Sequence, residues 1–421
     1  MKFLYCFLLL SLFLSCSNGS DSKELKSGCP KPNVFKYLNP FYLKDRVVSY
    51  VRKKFFDIEI LEDLVENDGY TLENHYVETQ DGFILNVHRI PFKGNKLKSV
   101  VFLQHGILGS SVDWFITGPN KSLAYYLADN GYDVWLGNAR GNRLSKNHTT
   151  LDPKKDAAQF WDFSFHEIGE IDLPTMIRYV LKLTDQNDLF YIGHSQGSTA
   201  FYVMCSEHPD INQYINAHFI LSPVAYMNHI YNPFLRTIAE YKISTIFTKL
   251  GKYEISPYHG FIHGFLKGTC TYGKIFCKNF ILLINGNNPG QLNKTLLPKI
   301  FSYTPAGSST KQFIHYLQEI KSGYFCQYDY GEKENLIRYG KEVPPKYNLS
   351  NSISDAFFFI GKNDWISDKV DVDRLFNEIR SNTKEIITIE DEQWTHLDFL
   401  YGVNAIDWVY SKILNFMNDY E

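Results

Sequence analysis

Short, nearly continuous apolar runs recur along this chain, separated by stretches with helical spacing. Residues 99–104, 189–192 and 356–360 each form such a run, and runs of this length bounded by turn residues read as buried strands, with 132–136 and 218–224 as further strands. Residues 75–79 and 83–90 alternate apolar and polar around Gln80-Asp81-Gly82, the pattern of a hairpin. Helices are predicted from about residue 122 to Asn130-Gly131, over 172–184 and over 198–207, the last closed by Pro209. Pro174 fits the second of these only in its first turn. Strands alternating with helices imply an α/β fold, a mostly parallel sheet flanked by helices on both faces.

The rhythm breaks between about residues 226 and 343. Aromatic-rich helical patterns take over there, followed by the loop-like Asn285-Gly286-Asn287-Asn288-Pro289-Gly290 and the exit marker Pro344-Pro345. The interruption reads as a helical cap, residues 226–345, inserted into a core built from 30–225 and 346–421. A last strand is expected at 385–390.

Composition narrows the function. Of 421 residues, 44% are hydrophobic and 16% aromatic, enough for a large core and for a site that accepts apolar ligands. The formal net charge is −3 and no long basic run occurs; Arg52-Lys53-Lys54 reads as a solvated helix face, so no nucleic-acid partner is expected.

The first 19 residues look like a secretory signal: Lys2, a short apolar core over 3–16, then the small residues Ser15, Ser17 and Gly19. That run is too short for a comfortable transmembrane helix, so no transmembrane anchor is expected in the mature chain. A lipoprotein acylated at Cys16 is the competing reading, and the residues before Cys16 fit it poorly. Asn120, Asn147, Asn293 and Asn348 begin Asn-x-Ser/Thr triplets, which with a leader point to a glycosylated lumenal or secreted protein. Among seven cysteines, Cys205 falls within a helix and reads as a buried thiol. Cys270 and Cys277 are close enough to bridge in an oxidising compartment, while Cys29 and Cys326 have no assignment.

The chemistry centres on Gly193-His194-Ser195-Gln196-Gly197, a serine between two glycines where an apolar strand gives way to a helix. In that setting the turn is so sharp that side chains at the glycines would collide, and the serine hydroxyl is lifted into the open as a nucleophile. A serine alkoxide is inaccessible at neutral pH, so a histidine must take the proton and a carboxylate must orient the histidine. Asp364 follows the strand 356–360 directly; Asp368, Asp371 and Asp373 are rivals but fall in or near the next helix. His396, the only histidine after His315, sits in a loop beyond the last strand. Acyl transfer also needs oxyanion donors: the backbone N–H groups of Gln196, at a helix start, and of Ile107, in His105-Gly106-Ile107-Leu108-Gly109. His259 and His263 are four apart, yet the Glu of a His-Glu-x-x-His motif is missing, so no metal and no cofactor are expected. Gly137-Asn138-Ala139-Arg140-Gly141-Asn142 lacks phosphate-loop spacing and reads as structural support beside the turn.

Several longer motifs, in order, resemble the acid lipase family of gastric and lysosomal lipases and steryl ester hydrolases. They are Phe102-Leu103-Gln104-His105-Gly106, Asp133-Val134-Trp135-Leu136-Gly137-Asn138, the Ser195 pentapeptide, Thr304-Pro305-Ala306-Gly307 and His396-Leu397-Asp398-Phe399. The resemblance spans about residues 76–417. It implies an α/β-hydrolase core with a helical cap and movable lid, activity on triacylglycerols or steryl esters at acidic pH, and a lipid–water interface as the place of work. It also implies the roles given above for Ser195, Asp364 and His396 and a cap disulfide between Cys270 and Cys277, at slightly shorter spacing, with Asn285 where the family often has a further lid cysteine. Two alternatives stay open: a soluble short-chain esterase or acyltransferase, and a silent lipid-binding homologue.

Overall fold

The computed structural model describes residues 61–94, 96–240, 252–255 and 286–421. The leader, Arg52-Lys53-Lys54, Cys29, Cys270 and Cys277, His259 and His263, and Asn285 lie outside the described residues, as does much of the expected cap.

Eight principal strands form one sheet: β1 Glu73–Glu78, β2 Phe83–Ile90, β3 Val100–Gln104, β4 Asp133–Gly137, β5 Leu189–His194, β6 Ile215–Leu221, β7 Asp355–Ile360 and β8 Lys384–Thr388. Their order is β1-β2-β4-β3-β5-β6-β7-β8, and a two-residue strand, Asn147–His148, joins the edge of β2. The hairpin β1–β2 and the β2–β4 pair are antiparallel, and every pair from β4 to β8 is parallel. Parallel neighbours need crossovers, which the helices Leu123–Asp129, Leu173–Thr184, Gln196–Glu207 and Lys369–Glu378 supply.

Apolar residues on both sides of the central strands explain why their runs are continuous. In β3, Val100 and Phe102 enter one core while Val101 and Leu103 enter the other; in β7, Phe358 and Phe357 divide the same way. Ser122 precedes Leu123–Asp129, its hydroxyl donating back to Gly118 O. Pro174 opens Leu173–Thr184 directly after the π-helical Ile168–Asp172, with helical backbone continuous from Phe165, so the widened π turn stands where the proline lacks an N–H. The strand expected at 218–224 instead spans Ile215–Leu221. It stops early because Ser222 turns into the left-handed region, φ 53°, where an extended ladder cannot continue.

Between β6 and β7 lie the helices Pro233–Glu240, Leu297–Tyr303, Thr310–Ser322 and Glu332–Tyr339. The Tyr316 hydroxyl of Thr310–Ser322 donates to Thr199 Oγ1 at 2.9 Å, and Thr199 Oγ1 donates to Val224 O at 2.6 Å. A buried hydrogen-bonded chain thus fastens this inserted helix to Gln196–Glu207.

Candidate active site

The C-terminal ends of β3, β5, β6, β7 and β8 open onto His105, Ser195, Ser222, Asp364 and His396 respectively, the end of a parallel sheet where ligands bind. Ser195 has φ 53° and ψ −115°, a conformation a non-glycine residue adopts at a cost of about 1–3 kcal/mol. The backbone around it is jammed. A Cβ at Gly197 would sit 2.4 Å from the Gln104 carbonyl oxygen, and one at Gly193 would sit 2.9 Å from the Gly197 carbonyl carbon. Both glycines are required because helix and strands meet with no room between them. The helix begins at Gln196, two residues earlier than expected.

Asp364 and His396 meet in the interior. His396 Nδ1 lies 2.9 Å from Asp364 Oδ2 and 3.1 Å from Oδ1. Burial pulls the Asp364 carboxyl up, but the adjacent imidazole and hydrogen bonds from Ser222 and the Ser367 N–H outweigh it and hold the group below its ordinary value. The Ile366 and Ser367 N–H groups donate to Oδ1 at 2.9 Å each, and the Ser222 hydroxyl donates to Oδ2 at 2.6 Å. With its oxygens so engaged, the carboxylate has one orientation. The rivals are spent elsewhere: Asp368 caps the helix Lys369–Glu378, Asp371 accepts from the N–H of His229 and contacts its Nδ1, and Asp373 pairs with Lys369.

His194 connects this pair to the turn. Its Nε2 donates to the His396 carbonyl at 2.9 Å, and the two rings face each other with centroids 4.8 Å apart. Burial, reinforced by His396, drives the His194 pKa down to about 3, so the ring is neutral and a single N–H makes that bond. Among the described residues no hydrogen bond joins the Ser195 hydroxyl to His396; their backbones are tied one residue away, through His194.

The loop after β3 packs against the serine: a Cβ at Gly106 would sit 3.1 Å from Ser195 Cβ. His105 Nδ1 donates to Gly106 O at 2.7 Å, while Nε2 accepts from the Ala139 N–H at 3.1 Å and from the Asn142 amide at 3.2 Å. Those roles require a neutral ring, and burial lowers the His105 pKa accordingly. Asn138 extends the scaffold, donating to Asn86 O and accepting from the Ser111 N–H at 2.9 Å each. The glycine-rich segment after β4 is therefore the support the sequence suggested. The Thr304-Pro305-Ala306-Gly307 motif props the same loop from outside: the Ala306 N–H donates to Leu108 O at 2.6 Å, and Thr304 and Tyr401 hydroxyls donate to Asp113 Oδ1 at 2.6 and 2.8 Å.

Ser195 and Ile107 border an apolar cleft. Phe313, Leu317 and Ile320 line it from one face of Thr310–Ser322, at helical spacing, with Leu235 from Pro233–Glu240 nearby.

Residues 61–118 match the partial alpha/beta-hydrolase lipase region, and residues 99–241 match the alpha/beta hydrolase fold. The chain is 41% identical to Lipase 3 of Drosophila melanogaster over 85% of its own length and 92% of the relative's. The chain belongs to the acid lipase family. It is also 35% identical to the lysosomal acid lipase/cholesteryl ester hydrolase of Homo sapiens, over 84% of this chain and 89% of that one. A Sulfolobus solfataricus protein described as a lipase superposes at a TM-score of 0.53 with 14% identity, covering 83% of this chain and 99% of that one, which shows the α/β-hydrolase fold alone. Among the described residues Cys205 and Cys326 are buried free thiols, and burial pushes both up to about 12. Ser222 and Asp113 have no place in the sequence reading of the site, nor does the bond of the His194 ring to the His396 carbonyl.

Proposed function

We propose that this acid lipase family member hydrolyses carboxylic esters of lipids, triacylglycerols or steryl esters, at acidic pH through an acyl-enzyme on Ser195. His396 takes the proton as Ser195 attacks and returns it to the departing alcohol; water activated by the same imidazole then releases the fatty acid. Asp364 holds the ring and stabilises the imidazolium. The Ile107 and Gln196 N–H groups receive the oxyanion, at the start of a helix whose dipole favours negative charge. The observation that carries the reading is the buried, hydrogen-bonded Asp364–His396 pair, its histidine loop tied by His194 to a strained serine at the edge of an apolar cleft. The serine–histidine hydrogen bond forms as substrate settles, as catalytic hydrogen bonds commonly tighten in the Michaelis complex.

The helices between β6 and β7 act in this reading as a cap, residues 226–345, whose apolar face holds the acyl chain. A lumenal or secreted location is supported by exposure of Asn120, Asn147 and Asn348, with Asn293 half-buried. No helix among the described residues is long and apolar enough to cross a membrane. Each further methylene buried in the cleft is expected to raise kcat/KM up to about fourfold, from roughly 0.8 kcal/mol per CH₂. Emulsified triolein and cholesteryl oleate, run beside p-nitrophenyl acetate from pH 4 to 8, test this. Faster turnover of the acetate, or an alkaline optimum, favours the short-chain esterase instead. Ser222→Ala, which removes a hydrogen bond to a charged group, is expected to lower kcat about tenfold without raising KM; kinetics on a soluble ester reads it.

A further inference from the structure

Residues 286–292 lie across the two loops that carry Asp364 and His396. Gly286 has φ 102°, and a Cβ there would come within 2.5 Å of Asn363 O and 3.2 Å of Thr395 Cγ2. The Asn363 amide donates to Asn287 O at 3.2 Å, one residue before Asp364. Farther along, the Val403 N–H donates to Gln291 O at 3.1 Å and the Asn404 N–H to Gln291 Oε1 at 3.0 Å.

Buried Asn288 occupies the middle of this strap. Its amide lies 3.0 Å from Asp391 Oδ2 and 3.1 Å from Asp398 Oδ2, so one hydrogen serves each carboxyl. The two acids flank the histidine loop. Asp391 Oδ1 accepts from the Gln393 N–H at 2.9 Å, and Asp398 Oδ2 accepts from the Thr395 N–H at 2.8 Å. A single amide therefore gathers both ends of the turn that presents His396. Two ionised carboxylates on one amide would repel; burial lifts Asp398 to about 7, so in acid the amide serves one carboxylate, that of Asp391, and one neutral acid. Asp391 is the charged group facing Asp398, and its other partners are the Asn288 amide and Thr395.

We propose that Asn288 is a positioning residue for the hydrolysis: by clamping Asp391 to Asp398 it fixes the loop that aligns His396 with Ser195. The inference rests on the catalytic reading of Ser195, Asp364 and His396. The experiment uses the full chain with p-nitrophenyl butyrate, alongside the rate at which diethyl p-nitrophenyl phosphate phosphorylates Ser195. Ser195→Ala is run first, and undiminished turnover in that variant overturns the catalytic reading itself. With that reading intact, Asn288→Ala is expected to lose about 10- to 100-fold in kcat, the size of effect that misplacing a catalytic group by 1 Å produces. KM should change less than about threefold, and phosphorylation should slow by the same factor as kcat. Asp391→Ala removes the more exposed side of the clamp and keeps the test open where Asn288→Ala does not fold; a several-fold loss in kcat is expected. A folded Asn288→Ala or Asp391→Ala with wild-type kcat, or a loss confined to KM, overturns the proposal.

Discussion

Ser195→Ala is expected to lower kcat on a dispersed lipid ester by about 10⁵- to 10⁶-fold while leaving the fold intact. Serine nucleophiles in such constellations carry losses of this order, because the remaining groups retain only the oxyanion donors and substrate binding. Fatty-acid release at fixed pH reads the activity, and circular dichroism reads the fold. A well-folded variant with more than about 1% of wild-type turnover would remove Ser195 from the chemistry. Ser195→Gly separates strain from catalysis. It should be equally inactive yet about 1 kcal/mol more stable, because glycine accepts φ 53° without steric cost.

The largest stability effect is expected at Arg140. Its guanidinium is almost wholly inaccessible, with Nε 2.8 Å from Asp172 Oδ1, Nη1 2.5 Å from Asp81 Oδ2, and the face of Phe83 4.2 Å away. Asp172, fully buried, also accepts from the Arg140 N–H at 2.9 Å. Arg140→Ala strands that carboxylate without a counter-charge, which costs about 3–5 kcal/mol and lowers Tm on the order of 10 °C. Because Arg140 lies between the Ala139 N–H that supports His105 and the Asn142 that caps the same ring, activity should fall with stability. A thermal scan showing a loss below about 1 kcal/mol would make the network dispensable.

What was legible in the sequence was what has a local signature. Strands β3, β5 and β7 announce themselves because both faces are buried, leaving no polar interruption. The serine turn is legible through two glycines that the packing demands, and Asp364 through its place directly after a strand. The supporting network had no such signature. Ser222 meets Asp364 across 142 residues, Thr304 meets Asp113 across 191, and Tyr401 meets Asp113 across 288. Nothing in the spacing of a serine, a threonine or a tyrosine marks such pairings; only the folded sheet brings them together. The end of β6 is the exception, because it also has a local sign: residues 222–224 are Ser-Pro-Val, and Pro223 has no N–H to give a ladder, while Ser222 is diverted to face a carboxylate far along the chain.

The bond from Tyr316 to Thr199 bears on how bulky esters enter. The wall that carries Phe313, Leu317 and Ile320 is bonded to the very helix that follows Ser195, one turn beyond it. Swinging that wall aside would break the bond and leave a buried hydroxyl without its partner, at a cost of about 1–3 kcal/mol. Opening the cleft on this side is therefore penalised by an interaction that reaches back to within one turn of Ser195.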